Sequence, residues 1–192
     1  MKVVLASGSP RRKMILAQAG VEFEICASDK EEVITSKVPK EVVCELSKQK
    51  AEDVAGKYTS DDEDILVIGA DTVVSCEDVI LGKPKDRADA VRMMELISGR
   101  KHQVYTGVTL TLNGKSHTFC ALTDVNVRKL TDKEISDYVD TDEPYDKAGG
   151  YAIQGIFAKY VTGISGEYYN VVGFPIAEIY DECKKLGIDI FG

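Results

Sequence analysis

Asp71 is the residue whose surroundings most demand a chemical explanation. It sits in Ile65-Leu66-Val67-Ile68-Gly69-Ala70-Asp71-Thr72-Val73-Val74, a run with the look of a strand covered on both faces. A carboxylate placed there loses hydration, a cost of several kcal/mol unless a metal, a cation or hydrogen bonds compensate. The functional reading is a metal ligand or base; the structural reading is a strand-end aspartate bonded to backbone. A second feature is Ser7-Gly8-Ser9-Pro10-Arg11-Arg12, a glycine-bearing turn between a strand and a helix. Such a turn aims backbone N–H groups and a helix N-terminus at one spot. Arginines in the first helical turn oppose the helix dipole unless an anion is held there, so phosphate is the implied ligand. An ordinary turn with solvated arginines has the same residue types. It is no Walker A loop, because Gly-x-x-x-x-Gly-Lys-Ser/Thr is absent.

Two lysines add cationic reach. Lys50 falls on the apolar side of a helix and Lys83 lies in Gly82-Lys83-Pro84; both suit phosphate oxygens, and both suit plain solvated ends. Asp146-Lys147-Ala148-Gly149-Gly150-Tyr151-Ala152-Ile153-Gln154-Gly155 offers glycines for close approach and, in Gln154, an amide that both donates and accepts at a base edge.

The elements that must position these groups carry local signals. Val3–Ala6 reads as a buried strand; Ser9 as N-cap and Pro10 as first helical residue open a helix that Gly20 ends, with Met14, Ile15 and Leu16 on its apolar side. A short strand over Phe23–Cys26 follows. Beyond Pro39, Val42, Val43, Leu46 and Val54 recur at helical spacing. Gly56–Asp64, with Asp61-Asp62-Glu63-Asp64, reads as a solvated loop whose acids are surface charge. Asp86 caps a helix ending near Ser98-Gly99. Runs over His102–Leu112 and Ser116–Val127 flank Asn113-Gly114, a hairpin turn. Thr131 and Glu134 form a capping box, and a last helix starts at Pro175. Strands alternate with helices around an intervening hairpin, so the expected class is α/β with a mixed sheet flanked by helices.

Composition limits the partners. The 192 residues, 44% hydrophobic, are enough to bury a core. A net charge of -8 argues against a general polynucleotide binder. Five cysteines without a Cys-x-x-Cys pair and only two histidines give no disulfide framework, zinc knuckle or Ser-His-Asp triad. No apolar run reaches membrane-spanning length, and the Lys2–Ala6 stretch is too short for a signal sequence; a cytoplasmic protein with no membrane partner is expected.

Together these segments, with Ser98-Gly99-Arg100-Lys101-His102-Gln103-Val104-Tyr105-Thr106-Gly107 and Tyr169-Asn170-Val171-Val172-Gly173-Phe174-Pro175, resemble the Maf family over nearly the whole chain. The resemblance implies one domain over residues 1–192, elongated and two-lobed, with a nucleotide cleft in a Maf/ITPase-like fold. It implies a nucleoside triphosphate pyrophosphatase. Arg11, Thr72 and Gln154 match the branch that hydrolyses dTTP and UTP, with modified uridine triphosphates as a variant. By the same resemblance Asp71 is the catalytic proton acceptor, and Ser9, Arg12, Lys50 and Lys83 bind phosphates. Glu32 joins Asp71 in holding Mg²⁺ or Mn²⁺, with Glu31 the alternative carboxylate; a homodimer is implied. Departures are Phe174 and Ile176 where leucines are usual, and Lys30 before Glu31-Glu32. The other readings are a 7-methyl-GTP or other purine triphosphate pyrophosphatase, and a nucleotide-binding regulator of cell division.

Overall fold

The computed structural model describes residues 1–58 and 64–192. Of the acidic loop expected from the sequence, Asp61, Asp62 and Glu63 lie outside the described residues. The fold is α/β. Its mixed sheet has the order β2-β1-β3-β5-β6-β7, with β4 paired to β3. The chain divides into two compact units, Met1–Asp71 with Thr106–Ala121 and Gly173–Gly192, and Thr72–Tyr105 with Leu122–Val172.

In the first unit, β1 (Lys2–Leu5) runs parallel to β2 (Glu24–Ile25) and to β3 (Ile65–Cys76), with Leu5 opposite both Ile25 and Ile68. Val3, Val4 and Leu5 are buried, as a central strand requires. The crossover is α1 (Pro10–Gln18), which packs Ile15 and Leu16 inward; Gly20, at φ +80°, turns the chain away. Ser9 occupies the N-cap position, but its side chain makes no capping bond. Pro10 has no N–H to satisfy and its ring already sets the helical φ, so the start does not depend on one.

Helix α2 (Pro39–Ala55) buries Val42, Val43, Leu46, Ala51 and Val54. A Cβ on Gly69 would stand 2.4 Å from the Ser47 carbonyl oxygen, and one on Gly107 2.2 Å from that of Val43. The two glycines therefore let the α2 backbone lie directly on β3 and β5 (Lys101–Leu112). β5 turns into β6 (Lys115–Val127) through Asn113 and Gly114, at φ 48° and 78°, as a two-residue type I′ turn demands.

In the second unit β3 turns back antiparallel into β4 (Val79–Leu81). That turn carries no glycine signal: Glu77 and Asp78 take φ 50° and 63°. Helix α3 (Arg87–Ile97) is capped by Asp86, which accepts from the Asp89 N–H, and α4 (Asp132–Val139) opens with the Thr131–Glu134 capping box. β7 (Val161–Ser165) pairs antiparallel with β6, and α5 (Tyr168–Val172) follows. The core is aromatic: the Phe157 ring lies 5.0, 4.8 and 5.3 Å from those of Tyr138, Tyr151 and Tyr160, against Met93, Met94 and Ile97. The chain closes with α6 (Ile176–Lys185) in the first unit.

Candidate active site

Along β3 every residue from Leu66 to Cys76 is buried except Asp71 and Thr72. Within that stretch the strand opens where its polar pair lies. The compensating partner that Asp71 requires is Lys50: one turn from the end of α2, its Nζ donates to Asp71 Oδ1 at 2.5 Å and pairs with Glu32 Oε1 at 2.9 Å. The side chains of Lys50 and Asp71 are 18% and 15% exposed, while that of Glu32 is 49% exposed, so the ammonium joins a shielded carboxylate to one facing water. Glu32 rather than Glu31 is the acid on this lysine.

The glycine-bearing turn is tied to the same strand by Arg12. Its Nη1 donates to the Ala70 carbonyl at 2.7 Å and to Ser7 Oγ at 3.0 Å, and its Nε donates to the Gly173 carbonyl at 2.9 Å. Ser7 Oγ in turn accepts from the Ser9 N–H at 3.3 Å. Loss of hydration lowers the pKa of Arg12, and the Asp71 charge opposes that shift. Arg12 thus grips the backbone beside Asp71, besides any contact with phosphate. Ser7, Ser9, Arg12, Glu32, Lys50 and Asp71 are brought together in the first unit.

Thr72, Lys83 and Gln154 belong to the second unit. Lys83 is exposed in the turn after β4, and that turn is joined to the glycine segment by the Gly149 N–H, which donates to the Gly82 carbonyl at 3.0 Å. Gly149 and Gly150, at φ 74° and 69°, pack so closely that a Cβ would stand 2.7 Å from the Val74 side chain and 3.1 Å from that of Pro84. Gln154 is exposed just beyond. The sequence reading passed over Glu143, whose carboxylate accepts the Ile156 N–H at 2.6 Å and the Phe157 N–H at 3.1 Å. Glutamate is common on surfaces, so only the tertiary contact distinguishes it.

Among the described residues no three His, Cys, Asp or Glu side chains cluster as a metal cage. Glu32 and Asp71 are oxygen donors of the kind a Mg²⁺-type ion takes, one or two carboxylates completed by substrate phosphate and water, but here their shared point is filled by the Lys50 ammonium.

Over residues 2–186 the sequence matches the family described as Maf-like protein. The chain belongs to the Maf family. Its Maf relatives include the "dTTP/UTP pyrophosphatase" of Agathobacter rectalis, 51% identical and matched over 98% of this chain and 99% of the relative. The protein of that name from Lachnoclostridium phytofermentans is 48% identical, over 98% and 97%. Among solved structures, a nucleoside-triphosphatase / dITP/XTP pyrophosphatase from Mycobacterium abscessus aligns with 66% of this Maf chain and 74% of its own, at TM-score 0.41 and 13% identity.

Proposed function

We propose that this Maf protein is a nucleoside triphosphate pyrophosphatase that cleaves dTTP and UTP to the monophosphate and pyrophosphate. The observation that carries this reading is Asp71, set beside Thr72 in a half-buried gap of an otherwise buried stretch of strand and joined through Lys50 to Glu32. The names borne by relatives near half identity over their full length support the choice of pyrimidine substrate.

Hydrolysis between the α and β phosphates needs an aligned water, charge neutralisation along the triphosphate and a stabilised leaving group. In this reading Asp71 orients the attacking water and accepts its proton. Lys50, already held between two carboxylates, offsets their repulsion and presents its ammonium to phosphate oxygens, and Lys83 keeps the phosphate-binding role that the family resemblance implies. The Ser7–Ser9 turn and Arg12 receive the phosphate chain, while Arg11, Thr72 and Gln154 select the base. Glu32 and Asp71 would hold Mg²⁺ or Mn²⁺, which supplies positive charge to the phosphates and acidity to water. From the family resemblance we carry over a cytoplasmic homodimer.

The test is a panel of UTP, dTTP, CTP, GTP, 7-methyl-GTP and ITP with either metal and with product analysis. Pyrophosphate from UTP and dTTP is expected. Release of orthophosphate would sink the reaction, turnover confined to purines would sink the substrate, and tight UTP binding without turnover would leave a nucleotide-binding regulator.

A further inference from the structure

Gln154, the proposed reader of the base, lies exposed in a stretch with no regular helix or strand of its own. A turn bond holds it on one side, the Gly155 N–H donating to the Ala152 carbonyl at 3.1 Å. On its C-terminal side the chain enters a short 3₁₀ turn, Ile156–Tyr160, whose first two N–H groups both donate to the carboxylate of Glu143. The contact is close: a Cβ on Gly155 would fall 2.1 Å from Glu143 Oε2, so a larger residue after Gln154 would push the carboxylate aside.

Glu143 is itself held at both ends. The Tyr138 hydroxyl donates to Oε1 at 3.0 Å, and the Lys147 ammonium donates to the Glu143 carbonyl at 2.9 Å. Tyr138 is buried against Phe157, and burial with the adjoining carboxylate pushes its pKa well up, so the hydroxyl remains a donor. The Phe157 ring is anchored in the aromatic core, whereas Gln154 and Ile156 are exposed. Core packing of Phe157 and Tyr160 therefore fixes the body of the turn, and Glu143 fixes its first two N–H groups.

We infer that Glu143 is a positioning residue for base selection: by gathering the Ile156 and Phe157 N–H groups it sets the backbone from which Gln154 presents its amide to the pyrimidine. This rests on the reading of Gln154 as the base reader. It explains why a carboxylate from a separate turn approaches this loop at all, and what a glycine after Gln154 leaves room for. A charged acceptor suits the task, since hydrogen bonds to an ionised group are shorter and stronger than neutral ones.

The experiment compares kcat and KM for UTP and CTP in the unaltered chain, Glu143→Gln, Gln154→Ala and the double variant. Glu143→Gln keeps the side-chain shape but turns an amide nitrogen toward one of the two backbone donors. We expect the UTP-over-CTP ratio of kcat/KM to fall by about tenfold, through KM for UTP, with kcat within about twofold. Hydrogen exchange at Ile156 and Phe157 should accelerate. Because Glu143 acts through Gln154, adding Glu143→Gln to Gln154→Ala should lower the ratio no further. Tyr138→Phe, which removes one donor to the carboxylate and keeps the core ring, gives a second measure with a smaller fall in the same direction.

An unchanged ratio in Glu143→Gln and Tyr138→Phe, in a chain that does prefer UTP, would overturn this inference and leave the proposed function standing. So would an equal loss of kcat for both nucleotides that adds in full to that of Gln154→Ala. Absence of any UTP preference in the unaltered chain would instead overturn the functional reading on which it rests.

Discussion

The Ser7–Arg12 turn and the Gln154–Phe157 loop solve one problem with opposite charges. In the first, a guanidinium gathers acceptors: the carbonyls of Ala70 and Gly173 and the Ser7 hydroxyl. In the second, a carboxylate gathers donors: the N–H groups of Ile156 and Phe157 and the Tyr138 hydroxyl. In each case one ion collects backbone groups distant from it in sequence, and leaving a buried polar group unsatisfied costs about 1–3 kcal/mol. Arg12 collects its acceptors from within its own turn, tying that turn to the Ala70 and Gly173 carbonyls, whereas Glu143 reaches the loop from a separate turn. The difference lies in what each ion orders. Arg12 grips the peptide next to Asp71, where the reaction is proposed to occur, whereas Glu143 grips the peptides after Gln154, where the base is proposed to be chosen.

The comparison breaks most readily at its chemical end. Asp71→Asn should lower turnover of every accepted nucleotide by about a hundredfold or more, with the UTP-over-CTP ratio preserved, as pyrophosphate release will show. A changed ratio with undiminished turnover would place selection, not reaction, at Asp71.

The next effect belongs to the second unit alone. His102 is fully buried with Nε2 2.7 Å from the Tyr151 hydroxyl, and loss of hydration lowers its pKa to about 4. Between its ordinary value of 6.5 and about 4 the unfolded chain takes up a proton that the folded chain refuses. The neutral imidazole's contribution is therefore complete above about pH 6.5 and is lost as pH falls toward 4, by up to about 3 kcal/mol. Urea unfolding midpoints at pH 7 and pH 4.5 will measure it. Glu134, held down to about 2 chiefly by Arg128, adds its own loss only at lower pH. Stability that is flat from pH 7 to 4.5 would mean that His102 is hydrated.

A smaller effect separates the two ions themselves. Arg12→Ala leaves the Ala70 and Gly173 carbonyls without the guanidinium and should destabilise the fold by about 1–3 kcal/mol. Turnover of UTP and CTP should fall together, in contrast to the selective loss expected from Glu143→Gln. Thermal melting and the same two-nucleotide assay check both parts, and a selective loss in Arg12→Ala would dissolve the distinction.

Much of the scaffold was legible because its signals are local. Asn113-Gly114 specifies its turn through two left-handed residues, Asp86 and the Thr131–Glu134 box cap helices through contacts three residues apart, and alternating or helical burial follows from spacing. Ser9 is the instructive exception, an N-cap by position whose side chain is not used, because Pro10 already shapes the helix start. β4 went unread because Glu77 and Asp78 make its turn without glycine or asparagine.

By itself the amino-acid sequence determined that Asp71 must find a partner, since a carboxylate in an apolar strand cannot stand without one, and its motifs determined the Maf family. Only the tertiary structure decided who that partner is. Lys50 reaches Asp71 across 21 residues, Arg12 reaches Gly173 across 161, and Glu143 reaches Ile156 across 13. Such pairings depend on how helices and strands pack, and the packing is set at places such as Gly69 and Gly107, where a missing Cβ lets α2 rest on the sheet. Residue type shows which charges need compensation; backbone proximity decides which of them meet.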